Sequence, residues 1–384
     1  MASASSTAGA VKSPFHIAIV GGGIAGLALA IALHKRNVSF TIYEQAAAFG
    51  EIGAGVGMHS NAVRAMRLCD VAMLAGFERV ATRNAWPSKR AVWFDVLDGT
   101  ADTPARDLPP LMTLVGHADG HAACHRARFL DELVPLLPPG AARFCKRLQR
   151  IEGNDDDAPL TLYFEDGTTA RADAVVGCDG IKSRVRALLV GGDDQPGALP
   201  TYSHKFVYRG LLPMDEAIDA LGEERAVNSV LWMGPDHHAL TFPVNHGQTL
   251  NLVAFATTAE DWPSQTQLTL PATRDDALRD FAGFGPNVRG LLQRTSPQLE
   301  RWALFDLADH PLPTFFRGRV CLVRARQAFV WDIDLDATVA SARADLRRRL
   351  AQGMPAAAEP DPAVPSPPDL DWHLRAGRPH EPAA

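Results

Sequence analysis

The first sustained apolar run, Phe15-His-Ile-Ala-Ile-Val20, is rich in β-branched residues and halts at Gly21-Gly-Gly-Ile-Ala-Gly26. The apolar pattern then resumes as Leu27-Ala-Leu-Ala-Ile-Ala-Leu33, an Ala/Leu composition that predicts a buried helix behind a strand and a tight turn. Val38 to Tyr43 predicts a second strand, ending at Glu44. Gly50 to Gly57 reads as a glycine-rich loop leading into an amphipathic helix that continues to about Met73. Leu130 to Leu137 reads as the end of another helix, stopped by Pro138-Pro-Gly140. Leu160 to Phe164 and Thr169 to Arg171 flank Asp166-Gly167 as a hairpin, and Ala174 to Gly177 follows as a buried strand.

From Thr201 to Thr257 the pattern becomes alternating and aromatic-rich. Lys205–Leu212, Val230–Met233, His238–Phe242 and Asn251–Ala256 predict antiparallel strands of a second sheet. Asp275 to Leu292 is helical in pattern with an interruption near Gly283–Pro286, and Arg317 to Val323 reads as one more buried strand. Beyond Arg324 the chain turns Ala-, Pro-, Arg- and Asp-rich, a composition that predicts a disordered tail. No internal repeat is visible.

The order strand, glycine turn, helix, strand, acid carries specific chemistry. Gly21 permits the sharp turn, Gly23 removes a side chain where a pyrophosphate would approach, and Gly26 lets the helix pack against the strand. Glu44 lies about 20 residues beyond, where a carboxylate accepts hydrogen bonds from both ribose hydroxyls. A dinucleotide site is the expectation.

Composition narrows the partners. The 384 residues are 46% hydrophobic, enough for a large core, and the net charge of -6 without a basic block argues against nucleic acid. Five cysteines, Cys69, Cys124, Cys145, Cys178 and Cys321, form no C-x-x-C pair, so neither a metal site nor a disulfide framework is expected and a reducing, cytoplasmic setting is. The run Ile17–Leu33 contains four glycines and changes composition midway, which favours strand and helix over a membrane span. Residues 1–14 read as a disordered leader.

Three stretches converge on one family. Gly21–Gly26 with Glu44, the loop Gly50-Glu-Ile-Gly-Ala-Gly-Val-Gly57, and Val176-Gly-Cys-Asp-Gly-Ile-Lys-Ser-Arg-Val-Arg186 together resemble the FAD-dependent aromatic-ring monooxygenases of the salicylate hydroxylase-like kind found in fungal secondary metabolism. The resemblance implies an α/β fold, with a Rossmann-like FAD-binding domain of the GR2 type interleaved with an antiparallel-sheet substrate domain. It divides the chain into FAD-binding parts at 15–75 and 121–200, a substrate-side segment at 76–120, the substrate sheet at 201–300, a return to the FAD domain at 301–323 and a non-family tail at 324–384.

The same resemblance assigns residues. Glu44 holds the adenosine ribose, Gly57 meets the flavin-bearing part of the cofactor, and Arg126 contacts FAD. Asp179-Gly180 serves both FAD and NAD(P)H, with Arg184 and Arg186 as phosphate partners, and Arg209 faces the substrate, where it binds a phenolate or carboxylate. Two positions depart from the pattern. Phe242 stands before Pro243 where some relatives carry a tyrosine, and Arg324-Ala-Arg-Gln-Ala-Phe follows Val323 where the family continues Gly-Asp-Ala-Ala-His. A splice variant, retained intron, frameshift or faulty gene model would produce such an abrupt change.

The implied activity uses FAD, NAD(P)H and O2 to hydroxylate a small phenolic or aromatic-acid substrate. A flavin dehydrogenase or oxidase is the alternative within flavoenzymes. An inactive product that at most binds nucleotide is the alternative outside them, because an Asp in the missing motif would hold the ribityl chain.

Overall fold

A computed structural model describes residues 15–50, 55–116, 121–153, 159–264 and 267–323. The predicted leader and the tail after Val323 lie outside the described residues, as do positions 51–54 of the glycine-rich loop.

The nucleotide-type sheet has six strands in the spatial order Phe316–Arg317, Val320–Leu322, Ala174–Gly177, His16–Val20, Ser39–Tyr43 and Ala142–Arg143. All pair in parallel except the Phe316–Arg317 edge. Its central strand is buried on both sides, which explains its unbroken apolar sequence. Ile19 packs with Leu27, Ile31 and Ile42 on one face, while Ala18 and Val20 pack with Val175, Leu162 and Val185 on the other. The predicted hairpin forms at Leu160–Phe164 and Thr169–Ala172 in a separate three-stranded sheet.

The second sheet has eight strands, ordered Thr269–Thr273, Gln298–Asp306, Thr201–Pro213, Thr249–Thr257, His237–Val244, Val230–Met233, Val92–Asp98 and Met112–Val115. Its pairings are antiparallel apart from Val230–Met233 beside Val92–Asp98. One face buries Phe206, Tyr208, Leu212, Trp232 and Leu250 beneath helices Met214–Leu221, Arg274–Asp280 and Pro286–Gln293. The opposite face carries Phe94, Val96, Leu231, Phe242 and Val244 and packs on Ala123. Ala123 belongs to a small antiparallel sheet of Gly55–Met58, Ala122–His125 and Thr82–Arg83, whose Ala122 and Cys124 pack with the six-stranded sheet's cluster, so this sheet lies between the two larger sheets.

Two local expectations change. The amphipathic helix does not run through to Met73 but stops at Cys69, and a new helix starts at Val71. Asp70 between them is extended (φ -161°, ψ 139°), and its carboxylate accepts the Ala72 N–H at 2.7 Å. Capping of the second helix thus outweighs continuation of the first. Gly55–Met58, read as loop, is a strand, because its main chain pairs with Ala122–His125.

Candidate functional site

The first strand, the glycine turn and the first helix, Ile24–Lys35, build one end of the site. Gly21 adopts φ +103° and donates its N–H to Tyr43 O at 2.9 Å, tying the turn to the second strand. A Cβ on Gly21 would lie 2.5 Å from Cys178 O and 2.9 Å from Asp179 Cα, and one on Gly26 only 2.0 Å from Gly21 O. At both positions a side chain fits only if turn and neighbouring backbone move apart. The structure thereby brings the glycine turn against Cys178-Asp179, two segments more than 150 positions apart in sequence by their numbers.

Gly23 is the helix N-cap and supplies no side-chain hydrogen bond, and the first turn has no acidic residue. The free N–H groups and positive end of the helix dipole there suit a phosphate. Glu44, at the end of the second strand, is oriented by two main-chain donors. Gly22 N–H reaches its Oε2 at 2.6 Å and Ala46 N–H its Oε1 at 2.8 Å. A carboxylate oxygen accepts more than one hydrogen bond, so this geometry leaves capacity for ribose hydroxyls.

Asp179 and Gly180 close the other side of the turn. The Asp179 carboxylate accepts Ser183 Oγ–H at 2.5 Å and Val185 N–H at 3.0 Å, while Ser183 caps helix Arg184–Val190 through Arg186 N–H at 2.9 Å. Asp179 thus fixes the local backbone through its side chain. Gly180 adopts φ +74° and a Cβ there would meet nothing within 4 Å, so conformation rather than crowding favours glycine. The two arginines read as phosphate partners are engaged otherwise. Arg184 binds Gln149 O at 2.8 Å and Asp193, and buried Arg186 binds Ala198 O at 3.1 Å and Ile181 O at 2.7 Å.

Gly57 lies at the seam between the two halves. A Cβ there would sit 2.6 Å from His121 Nε2. Its lack of a side chain accommodates an imidazole that the sequence reading did not single out. His121 is 4% exposed, and its ring contacts those of Phe94 and Phe242 at centroid distances of 5.2 and 5.3 Å. Asn84 donates Nδ2–H to Lys89 O and Val92 O, both at 2.9 Å, which leaves Oδ1 to accept Ser229 Oγ–H at 2.8 Å. Ser229 Oγ then accepts from His121 Nδ1 at 3.1 Å, so the neutral ring carries its proton on Nδ1 and its lone pair on Nε2. Burial, and then the nearby His59, hold its pKa down at about 3.

Arg126 starts helix Arg126–Leu133 directly after strand Ala122–His125, and Arg209 lies on the long strand Thr201–Pro213. The structure brings these two sequence-assigned arginines near each other. Burial lowers the Arg209 guanidinium pKa, and the charge of Arg126 lowers it further. Arg209 also lies over the Trp302 ring, 4.6 Å from its centroid. Arg209, Asn251 and Trp302 help line a cavity of about 980 Å³ on the sheet. Trp302 and Asn251 were not legible as site residues. Asn251 carried one signal, a polar residue between Leu250 and Leu252 in a buried strand.

The residues at the glycine turn fit the ADP end of FAD: a backbone cradle with no room for side chains, an uncapped helix start, and a carboxylate already oriented by main-chain donors. A family model for NAD(P)-binding Rossmann-like domains matches residues 19–57, the same turn with Glu44 and the glycine strand. The FAD-dependent monooxygenase pigN of Monascus ruber is 47% identical over 306 residues, covering 80% of this chain and 69% of its own length. The chain belongs to the FAD-dependent monooxygenases.

A second relative of this monooxygenase, 6-methylsalicylate 1-monooxygenase atA of Aspergillus terreus, is 40% identical over 310 residues, 80% of this chain and 68% of the relative. A solved salicylate hydroxylase in complex with its substrate superposes with a TM-score of 0.69 at 33% identity, over 81% of this chain and 73% of that one. The α/β architecture with a Rossmann-like parallel sheet and an antiparallel second sheet is thus the fold of the family. Among the described residues of the monooxygenase no helix is long and apolar enough to cross a membrane.

Proposed function

We propose that this monooxygenase binds FAD, NAD(P)H and O2 and hydroxylates a small phenolic or aromatic-acid substrate. The observation that carries the reading is the Arg209 guanidinium lying over the Trp302 ring, 4.6 Å from its centroid, in a cavity that both residues line. Arg209 pairs with a carboxylate or phenolate oxygen, keeping the phenol ionised and its ring electron-rich. The Trp302 face adds an apolar wall of the kind an aromatic ring packs against.

Gly21, Gly23, Gly26 and Glu44 hold the ADP portion of FAD, with Asp179-Gly180 shaping the turn behind it, and Gly57 and Arg126 lie toward the substrate sheet. When bound, FAD supplies hydride acceptance from NAD(P)H and activation of O2 for hydroxyl transfer. The neutral His121 is held too weakly basic to take a proton near neutral pH, and its part is to accept a hydrogen bond and keep the seam between the halves dry.

The test is the purified full chain. Flavin absorbance, aromatic-acid-stimulated NAD(P)H oxidation and incorporation of label from ¹⁸O2 into product support the proposal. Substrate oxidation without label identifies a dehydrogenase or oxidase, and failure to take up FAD refutes the proposal.

A further inference from the structure

The eight-stranded sheet carries a second cavity, of about 440 Å³, on the face turned away from Arg209 and Trp302. Arg301 and Trp302 are consecutive in the strand Gln298–Asp306, so their side chains leave the sheet on opposite faces. Arg301 stands opposite Tyr208, on the face that carries Phe206, while Trp302 shares the other face with Arg209. The walls of this second cavity are aromatic. Phe206 is 5% exposed and Trp262 9%. Trp262 Nε1–H is tied to Gln267 O at 2.7 Å, and the Tyr202 ring lies 5.7 Å from that of Trp262. Size and lining are those of a small-molecule site.

Two groups of opposite charge line the cavity without meeting. Arg301 lies over the Phe206 ring, 5.4 Å from its centroid, and among the described residues no oxygen accepts from its guanidinium. Burial first, and then neighbouring carboxylates, raise the phenol pKa values of Tyr202 and Tyr208, while the Arg301 charge lowers both, so the guanidinium is within electrostatic reach of the two rings. Tyr208 donates its hydroxyl to Asp280 Oδ2 at 2.7 Å, which leaves Asp280 Oδ1 with lone pairs to offer. Register and hydrogen bond therefore set Arg301 beside Tyr208 and Asp280 at its tip. Glu260 and Asp261 line the cavity as well, so carboxylates outnumber the guanidinium.

We propose that this cavity is a second ligand site, for a zwitterionic aromatic α-amino acid whose carboxylate pairs with Arg301, whose ammonium pairs with Asp280, and whose ring packs against Phe206, Tyr202 and Trp262. An α-amino acid carries its two charges on one carbon, which suits a cation and an anion held around a single tyrosine. A plain aromatic acid is repelled by Asp280, Glu260 and Asp261, and a plain amine leaves Arg301 without an acceptor. The site is separate from the Arg209 cavity and does not depend on the reading of that cavity.

Calorimetric titration of the full chain with L-tryptophan, tryptamine and indole-3-propionate tests it, since the last two lack the carboxylate and the ammonium respectively. Wild type is expected to bind tryptophan about tenfold more tightly than either analogue, the effect of one charge-assisted pair. Arg301→Gln should cost tryptophan and indole-3-propionate about tenfold and spare tryptamine. Asp280→Asn, whose amide oxygen can still accept the Tyr208 hydroxyl, should cost tryptophan and tryptamine and spare indole-3-propionate. A purely structural role for the two residues moves all three probes together, and that result overturns the assignment. Arg209→Met should leave tryptophan affinity unchanged; a loss there with none in Arg301→Gln puts the ligand on the other face and overturns it too. Equal wild-type affinities for the three probes, a comparison that needs no variant to fold, or no tryptophan binding at millimolar concentration has the same consequence.

Discussion

Replacing Gly26 by alanine probes the nucleotide cradle with the smallest possible change. The new Cβ would lie 2.0 Å from Gly21 O, whereas non-bonded heavy atoms need well over 3 Å, so helix and turn must part by roughly 1 Å. Overpacking of this kind costs about 1–3 kcal/mol. Alanine in a helix returns roughly 1 kcal/mol relative to glycine. The fold should therefore lose only about 0–2 kcal/mol, and the protein should remain folded.

The ligand suffers more. The turn presents the N–H groups that a pyrophosphate would use, and misaligning one charge-assisted bond costs about 1.5–3 kcal/mol, which is roughly a 10- to 100-fold loss of affinity. Titrations of FAD and of ADP against the full chain separate the effects, because ADP reports only on this end of the site. Gly283→Ala is the control, since a Cβ there meets nothing within 4 Å. If Gly26→Ala binds ADP within threefold of wild type while Gly283→Ala does the same, the cradle does not hold the nucleotide and the reasoning fails.

Three further outcomes are expected. Glu44→Ala should weaken FAD retention by about 10- to 100-fold, since it deletes the proposed ribose acceptor and leaves the Gly22 and Ala46 N–H groups without theirs; unchanged flavin occupancy after gel filtration contradicts the ribose role. The depressed pKa of His121, about 3 against 6.5 for the free group, means that the unfolded chain takes up a proton below pH 6.5 that the folded chain refuses until about pH 3. Stability is then complete above pH 6.5 and falls by about 2 kcal/mol between pH 7 and 5 from this group, and urea denaturation of His121→Phe should show a correspondingly flatter pH dependence. Arg225→Met should destabilise by about 3 kcal/mol, near the lower end for a broken buried pair, because buried Asp95 loses its Nη1 partner at 3.1 Å but keeps Lys89 at 2.6 Å; a loss below 1 kcal/mol by chemical denaturation would falsify this assignment.

What sequence made legible was local. The glycine turn and Glu44 follow from backbone conformation and strand–turn–helix periodicity, and both operate within about 30 positions. The strands Val230–Met233 and Ala174–Gly177 form with the expected bounds because each is a short apolar run between clear breaks. Missed features depend on distant partners. Gly55–Met58 becomes a strand only because Ala122–His125 pairs with it, and Val92–Asp98 escaped notice because its seven residues include a buried Asp95 whose partners Lys89, Thr113 and Arg225 lie scattered along the chain. His121 is visible as a constrained neutral imidazole only through Ser229 and Asn84. The resemblance correctly gave the family, and Arg184 and Arg186, read as phosphate partners, make local bonds to Gln149, Asp193, Ala198 and Ile181.

The order of strands in the nucleotide-type sheet bears on how the molecule comes into being. His16–Val20 is flanked on one side by Ala174–Gly177, whose own outer neighbour is Val320–Leu322. At about 5–20 residues per second, a ribosome makes the first of these strands on the order of 15–60 s before the last. During that interval the apolar centre of the sheet has an open edge. Nascent chains of this protein should therefore depend on holding chaperones for much of their synthesis, and the dinucleotide half should not be recoverable as an independently expressed N-terminal fragment.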